Sequence, residues 1–245
     1  IENPLPLGGK LVHLDADPGV IGRNYRADVA VVGDARFGLA GLLKSIDTAK
    51  SDGAFLARAQ ELRDATRKQI RTEIGPDYEA IMDSMRELLP RDGIVVRDAT
   101  VPAYLWGNRL MPILAPRTSL NPTSAAIGPA LPLAIGAAIG SGKKTAVIQG
   151  DGGFMLNIGE LATAVQYNVP VVTCVFNDGG YGVLRSIEGR TFEGRQFGVE
   201  LATPDFAMVA QGMGMKAERV ESAAGFREAF GRGLAHDGPY LLDID

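Results

Sequence analysis

TAVIQGDGGFMLNIGELATAVQYNVPVVTCVFNDGGYGVLR, residues 145–185, decides the reading of this chain. The short apolar run Thr145 to Ile148 ends at Gly150, as expected of a parallel strand buried on both faces. Gly150-Asp151-Gly152-Gly153 follows, a turn at which another backbone or a ligand can approach closely. From about Asn157 the apolar residues Ile158, Leu161, Ala162 and Val165 recur at helical spacing, and Pro170 stops that helix at the residue before it. Val169 to Phe176 reads as a second strand, closed by Asn177-Asp178-Gly179-Gly180. Strand, helix and strand make a βαβ unit, so both glycine turns emerge at the carboxyl edge of one sheet.

Three kinds of oxygen meet at that edge: the Asp151 carboxylate, the Asn177 amide and the backbone carbonyls of the Asn177–Gly180 turn. All are hard ligands that suit Mg²⁺, an ion that completes its octahedron with phosphate oxygens and water. The glycine turn is also expected to lead into a helix N-terminus, where free N–H groups favour an anion. One acid and one amide are too few to cage a divalent ion. The set makes chemical sense when a diphosphate supplies the remaining oxygens.

Working outward, 245 residues with 46% apolar content and 31 glycines fit an α/β protein with a sizeable core. A net charge of −4 and a pI near 5.3 argue against nucleic acid or an anionic membrane as partner. The longest apolar run, Ile127 to Ile139, is too short to span a bilayer and carries two prolines and two glycines. The single cysteine, Cys174, falls in a core strand and reads as a small apolar residue. With no signal-peptide pattern visible, the expected compartment is a reducing cytoplasm.

Residues 1–47 begin with a proline- and glycine-rich loop to Gly9. Strands follow at Lys10 to Asp15 and Ala27 to Val32, then a helix at Phe37 to Ile46. Two strands and a helix are too few for a sheet of ordinary size, so this part is expected to be a remnant of a second α/β domain whose N-terminal portion is missing. Residues 48–75 read as a polar linker, Thr48 to Gly53, and a basic helix, Ala54 to Thr72, broken by Gly75-Pro76. Residues 76–245 read as the main domain. It opens with an amphipathic helix, Tyr78 to Leu89, and a strand, Ile94 to Val96. It closes with a helix at Pro204 to Met213, a strand at Lys216 to Val220, a helix at Ala223 to Ala235 and a strand at Tyr240 to Ile244. Gly128, Pro132, Gly136 and Gly140 recur every four residues, which predicts tight packing at Gly136 and Gly140. Arg185 to Gln196, charged and glycine-bearing, reads as a mobile loop or lid. Trp106 is expected to pack beneath its loop, and His13 and His236 to be structural and solvated, respectively.

Gly-Asp-Gly, then 24 residues, then Asn-Asp-Gly-Gly-Tyr-Gly resembles the thiamine-diphosphate signature of the 2-oxo-acid decarboxylase and acetolactate-synthase superfamily. The resemblance implies a doubly wound parallel sheet with helices on both faces and thiamine diphosphate and Mg²⁺ as cofactors. By it, Asp151, Asn177 and the Gly179 carbonyl hold the metal. Gly150, Gly152, Gly153, Gly180 and Tyr181 lie against the diphosphate, and Thr100 offers a hydroxyl. Many relatives carry a serine in place of Gly153. Ile127 matches the bulky wedge that bends the cofactor, with the Ala125 carbonyl accepting from its amino group, and Val183 and Leu184 line the substrate pocket. The turn Asp15-Ala16-Asp17-Pro18 matches a strand end near the site at which some relatives hold FAD or ADP. Such turns are common for local reasons, so FAD is not supported.

The resemblance assigns no catalytic residue here, because the activating glutamate of the family sits on a separate pyrimidine domain of the same or another subunit. Glu160 follows the metal turn and reads as a solvent or interface residue. The implied reaction cleaves or forms the bond beside a 2-oxo-acid carbonyl, in a homodimer or homotetramer. The competing reading is a non-catalytic thiamine-diphosphate-binding or regulatory subunit of the same fold.

Overall fold

The computed structural model describes residues 8–46 and 53–245. Most of the linker read at 48–53, and the loop at residues 1–7, lie outside the described residues. The chain forms two compact units, Ile1–Gln60 and Glu61–Asp245.

In the first unit β1 (Val12–Asp15) and β2 (Val29–Val32) pair in parallel, Val12 opposite Val29 and Asp15 opposite Val32. Helix α1 (Ala35–Lys44) starts at Asp34, whose carboxylate accepts from Arg36 N–H and so satisfies one orphan donor. The Asp15–Pro18 turn closes on itself: Asp15 Oδ1 accepts from Asp17 N–H at 2.9 Å and Asp17 Oδ1 from Gly19 N–H at 2.8 Å. His13 Nδ1 accepts from Gly22 N–H at 3.2 Å, a structural role as expected.

Helix α2 (Gly53–Leu88) bends at Gly75, whose φ of 81° and ψ of 167° are not helical, immediately before Pro76. Proline lacks the N–H that would continue the ladder and disfavours helical backbone in the residue before it, so the break falls where the sequence places it. Ile70 and Ile74, upstream of the bend, are already buried in the second unit's core.

That unit is built on six parallel strands: β3 (Ile94–Arg97), β4 (Ser119–Leu120), β5 (Thr145–Gly150), β6 (Val171–Phe176), β7 (Lys216–Val220) and β8 (Tyr240–Ile244), in the order β4-β3-β5-β6-β8-β7. The winding reverses between β3 and β5, the place where α/β sheets open a crevice at their carboxyl ends. Successive strand residues face opposite ways. Ile148, Cys174 and Leu242 therefore join one apolar layer with α2 and α8 (Ala223–Ala235). Val147, Val175 and Leu241 join the other, with α3 (Ala130–Ser141), α5 (Glu160–Gln166) and α7 (Phe206–Gly212). Helices thus cover both faces, the architecture the sequence implies. Each fully buried Leu, Ile or Phe contributes roughly 1.5–3 kcal/mol. Trp106 is fully buried, with its ring centroid 6.2 Å from that of Phe176 and 6.4 Å from that of Tyr78.

Three expectations need correction. The helix after β5 does not wait for Asn157: α4 (Asp151–Leu156) begins on the aspartate itself, anchored by buried Phe154, and breaks before α5. Residues 185–196 are not wholly a loop, because α6 (Gly182–Thr191) occupies their first half and Arg185 is tied down by Glu200 through bonds of 2.9 and 3.1 Å. Gly136 and Gly140 are not close-packing positions. A Cβ at either would meet nothing within 4 Å, because their side of α3 faces away from the sheet.

Candidate functional site

Residue Gly150 on β5 is in register with Phe176 on β6, which brings Asp151 and Asn177 to neighbouring strand ends. A cavity of about 750 Å³ opens there, at the reversal of the winding. Thr100, Ala125, Ile127, Gly150, Asp151, Gly152, Gly153, Asn177, Gly180, Tyr181, Val183 and Leu184 all line it. Gly179 does not. Its φ of 71° turns it towards a neighbouring cavity of about 430 Å³, which Asn177 also lines.

The cradle is shaped by missing side chains. A Cβ at Gly152 would sit 2.6 Å from the Tyr181 ring, and one at Gly153 would sit 2.8 Å from Asp98 Oδ2. At Gly150 it would sit 2.5 Å from Thr100 Oγ1. Each of these atoms already occupies the space that a larger residue needs.

Asp151 is 1% exposed. Its Oδ1 accepts from Gly152 N–H at 2.7 Å and its Oδ2 from Gly180 N–H at 2.9 Å, which fastens the second glycine turn to the first. Burial pushes its carboxyl above the usual carboxylate range. The Gly152 amide pulls it back, nearby Asp178 raises it further, and the Gly180 and Gly179 amides lower it. Among the described residues no lysine or arginine pairs with it.

Asn177 is oriented from both ends of its amide: Nδ2 donates to Asp243 Oδ1 at 3.2 Å, and Oδ1 accepts from Thr203 Oγ1 at 3.0 Å. Asp243 is itself 1% exposed and also accepts from Phe206 N–H. The Gly179 carbonyl accepts from Leu201 N–H at 2.8 Å. Carbonyl and amide oxygens keep a second lone pair. A carboxylate without a counter-cation and two such oxygens make a donor set suited to a hard cation that brings further oxygens with it. No cluster of three or more His, Cys, Asp or Glu occurs among the described residues to suit another class of metal.

Residues 102–244 match the family model of the thiamine pyrophosphate enzyme, C-terminal TPP binding domain. The chain belongs to the thiamine pyrophosphate enzyme family. It is 30% identical to a probable acetolactate synthase large subunit of Methanococcus aeolicus, over 96% of this chain and 42% of that protein. A probable 2-ketoarginine decarboxylase of Pseudomonas aeruginosa is 32% identical, over 98% of this chain and 43% of its own length. Benzoylformate decarboxylase of the same organism is 30% identical, over 98% and 44%. The fold matches a solved structure of a candidate thiamin-diphosphate-dependent enzyme from Mycobacterium smegmatis. The TM-score is 0.75 at 22% identity, over 98% of this chain and 44% of that one. The chain therefore spans about two-fifths of the length of these relatives.

For a thiamine pyrophosphate family member, several residues at or beside this cavity have no role assigned from the sequence. Asp98 is buried and hydrogen-bonded to Gly128 and Gln149. Thr203 and Asp243 orient Asn177 from distant elements. Tyr78 and Asp178 line the cavity wall. Burial raises the Tyr78 phenol above its ordinary range, and Asp178 adds to the shift. An acidic residue directly after a wholly buried strand was the one local signal, and it marked Asp98. No helix among the described residues is long and apolar enough to cross a membrane.

Proposed function

We propose that the protein containing this chain carries out thiamine-diphosphate- and Mg²⁺-dependent cleavage or formation of the bond beside a 2-oxo-acid carbonyl, with residues 76–245 supplying the diphosphate- and metal-binding part. The observation that carries this reading is the buried Asp151 at the head of a glycine cradle, with no lysine or arginine paired to it among the described residues and with Asn177 at the neighbouring strand end. The bound cofactor supplies an electron sink for the carbon next to the carbonyl. Asp151, Asn177 and the Gly179 carbonyl would hold the metal, which would supply positive charge for binding the diphosphate. Gly150, Gly152, Gly153, Gly180 and Tyr181 would lie against the diphosphate, and the Thr100 hydroxyl would donate to it. Ile127 would pack against the cofactor as the wedge between its rings, and the Ala125 carbonyl would accept a hydrogen bond from its amino group. Val183 and Leu184 exclude water where the 2-oxo acid sits.

The remaining parts come from elsewhere. A pyrimidine-binding domain of the same or another subunit, in a cytoplasmic homodimer or homotetramer, contributes the activating glutamate, and residues 1–47 are the tail of a middle domain. The relatives' names support both a ligase and a decarboxylase. The test is calorimetric binding of thiamine diphosphate to the complete gene product with and without Mg²⁺, together with CO₂ release from pyruvate. Binding that needs Mg²⁺ and is lost in Asp151→Ala is expected. Acetolactate or acetaldehyde as product separates ligation from simple decarboxylation. Uptake unaffected by Mg²⁺ or by Asp151→Ala would sink the reading.

A further inference from the structure

Three segments converge on the Asp98 carboxylate. Oδ1 accepts from Ala99 N–H at 2.9 Å, in the loop that carries Thr100. Oδ2 accepts from Gly128 N–H at 2.8 Å, next to Ile127, and from Gln149 Nε2 at 2.7 Å, next to Gly150. Gln149 Nε2 also donates to the Gly128 carbonyl at 3.0 Å. The partners lie 30 and 51 residues away in sequence, so the bonds join elements that local folding does not bring together.

Two further observations single this carboxylate out. Gln149 is fully buried, and its Oε1 has no hydrogen-bond partner. Its amide is turned to serve Asp98 and Gly128 at the cost of an orphaned oxygen, which a passive core glutamine would avoid. Gly153 is empty where Asp98 is full: an added Cβ would lie 2.8 Å from Asp98 Oδ2 and 3.2 Å from Gly128 N. Burial raises this carboxyl above the usual carboxylate range, and the three N–H donors of Ala99, Gly128 and Gln149 pull it back towards the ionised form.

We infer that Asp98 is a positioning residue that fixes the loop carrying Ala125 and Ile127 against the glycine turn at 150–153, with its carboxylate seated beside Gly153. The inference rests on the proposed function and assigns a further residue to the same site. A ligand spanning both the turn and the loop needs the two in register, whereas a ligand touching the turn alone does not.

The experiment is calorimetric titration of the complete gene product, in saturating Mg²⁺, with thiamine diphosphate and separately with inorganic pyrophosphate. Asp98→Ala leaves two buried donors without an acceptor. It is expected to weaken thiamine diphosphate by about tenfold or more and pyrophosphate by less than about threefold. Asp98→Asn keeps one oxygen able to face Gly128 and Gln149 and should recover part of the loss. Gln149→Leu removes one donor from the carboxylate without touching the glycine turn and should reproduce the same selective weakening, which decides the matter if Asp98→Ala does not fold. Equal loss of both ligands, or unchanged affinity for both, would overturn the inference and leave the proposed function standing. Failure of the unaltered protein to take up either ligand would overturn both.

Discussion

Two glycines from one four-residue repeat are expected to respond to alanine with opposite signs. Gly128 has a φ of 103°, and an added Cβ there would lie 3.2 Å from Leu156 Cβ and 3.3 Å from the Gly153 carbonyl. Holding an L-residue in left-handed backbone costs about 1–2 kcal/mol. The crowding adds about 1 kcal/mol, since Leu156 Cβ and the Gly153 carbonyl move only with the backbone. Reduced freedom of the unfolded chain returns roughly 0.4–1 kcal/mol. The strain terms win, so Gly128→Ala should destabilise by about 2 kcal/mol. Gly136 lies inside α3 with open space around it, so Gly136→Ala should stabilise by about 1 kcal/mol through helix propensity alone. Urea unfolding followed through Trp106, the chain's one tryptophan, gives both numbers if the slope with urea is unchanged. Equal shifts for the two variants, or a gain at Gly128, would refute the reasoning.

Phe154 is fully buried, with its ring edge-on to Phe206 at 5.2 Å, so Phe154→Ala should cost about 3–5 kcal/mol; a loss below about 1 kcal/mol in the same urea experiment would contradict the packing described. Glu218 accepts from Arg232 at 2.6 and 3.1 Å and from the Tyr240 hydroxyl at 2.6 Å, and the Arg232 bonds hold its carboxyl below the usual range. A depressed carboxylate stabilises above its unfolded value of about 4.3, and that contribution is lost as pH falls through the folded one. Glu218→Gln should therefore cost about 1 kcal/mol at neutral pH and progressively less in acid, as a series of melts across pH would reveal. Cys174 is fully buried, and burial pushes its thiol far above the ordinary range. A thiol reagent should label it only along the unfolding transition, and fast labelling in native buffer would place it elsewhere.

The legible parts of this fold are those that one sequence period specifies. β7, α8 and β8 fall where apolar spacing and turns put them, because each is flanked by its own stop signal. The arrival of Asp151 and Asn177 at neighbouring strand ends was legible as well, since a βαβ unit forces its two strand ends to one edge. Gly150-Asp151-Gly152-Gly153 reads as a turn, yet α4 runs through its last three residues, with Phe154 supplying the tertiary anchor that propensity omits. The repeat at Gly136 and Gly140 suggested contact, but spacing reports which residues share a face and not what that face meets. Asp98 and Asp243 were illegible in their roles because their partners are distant in the chain and are chosen by sheet order.

The glycine cradle also bears on how such a site can be found by experiment. Surveys that trim side chains to locate function report what a protein loses, and here much of the working surface has nothing left to trim. Libraries that add bulk at residues 150, 152 and 153 would report the site as a cluster of intolerance to size, indifferent to charge or polarity. A map built from deletions alone would leave these three positions blank beside Asp98 and Asp151, which it would report.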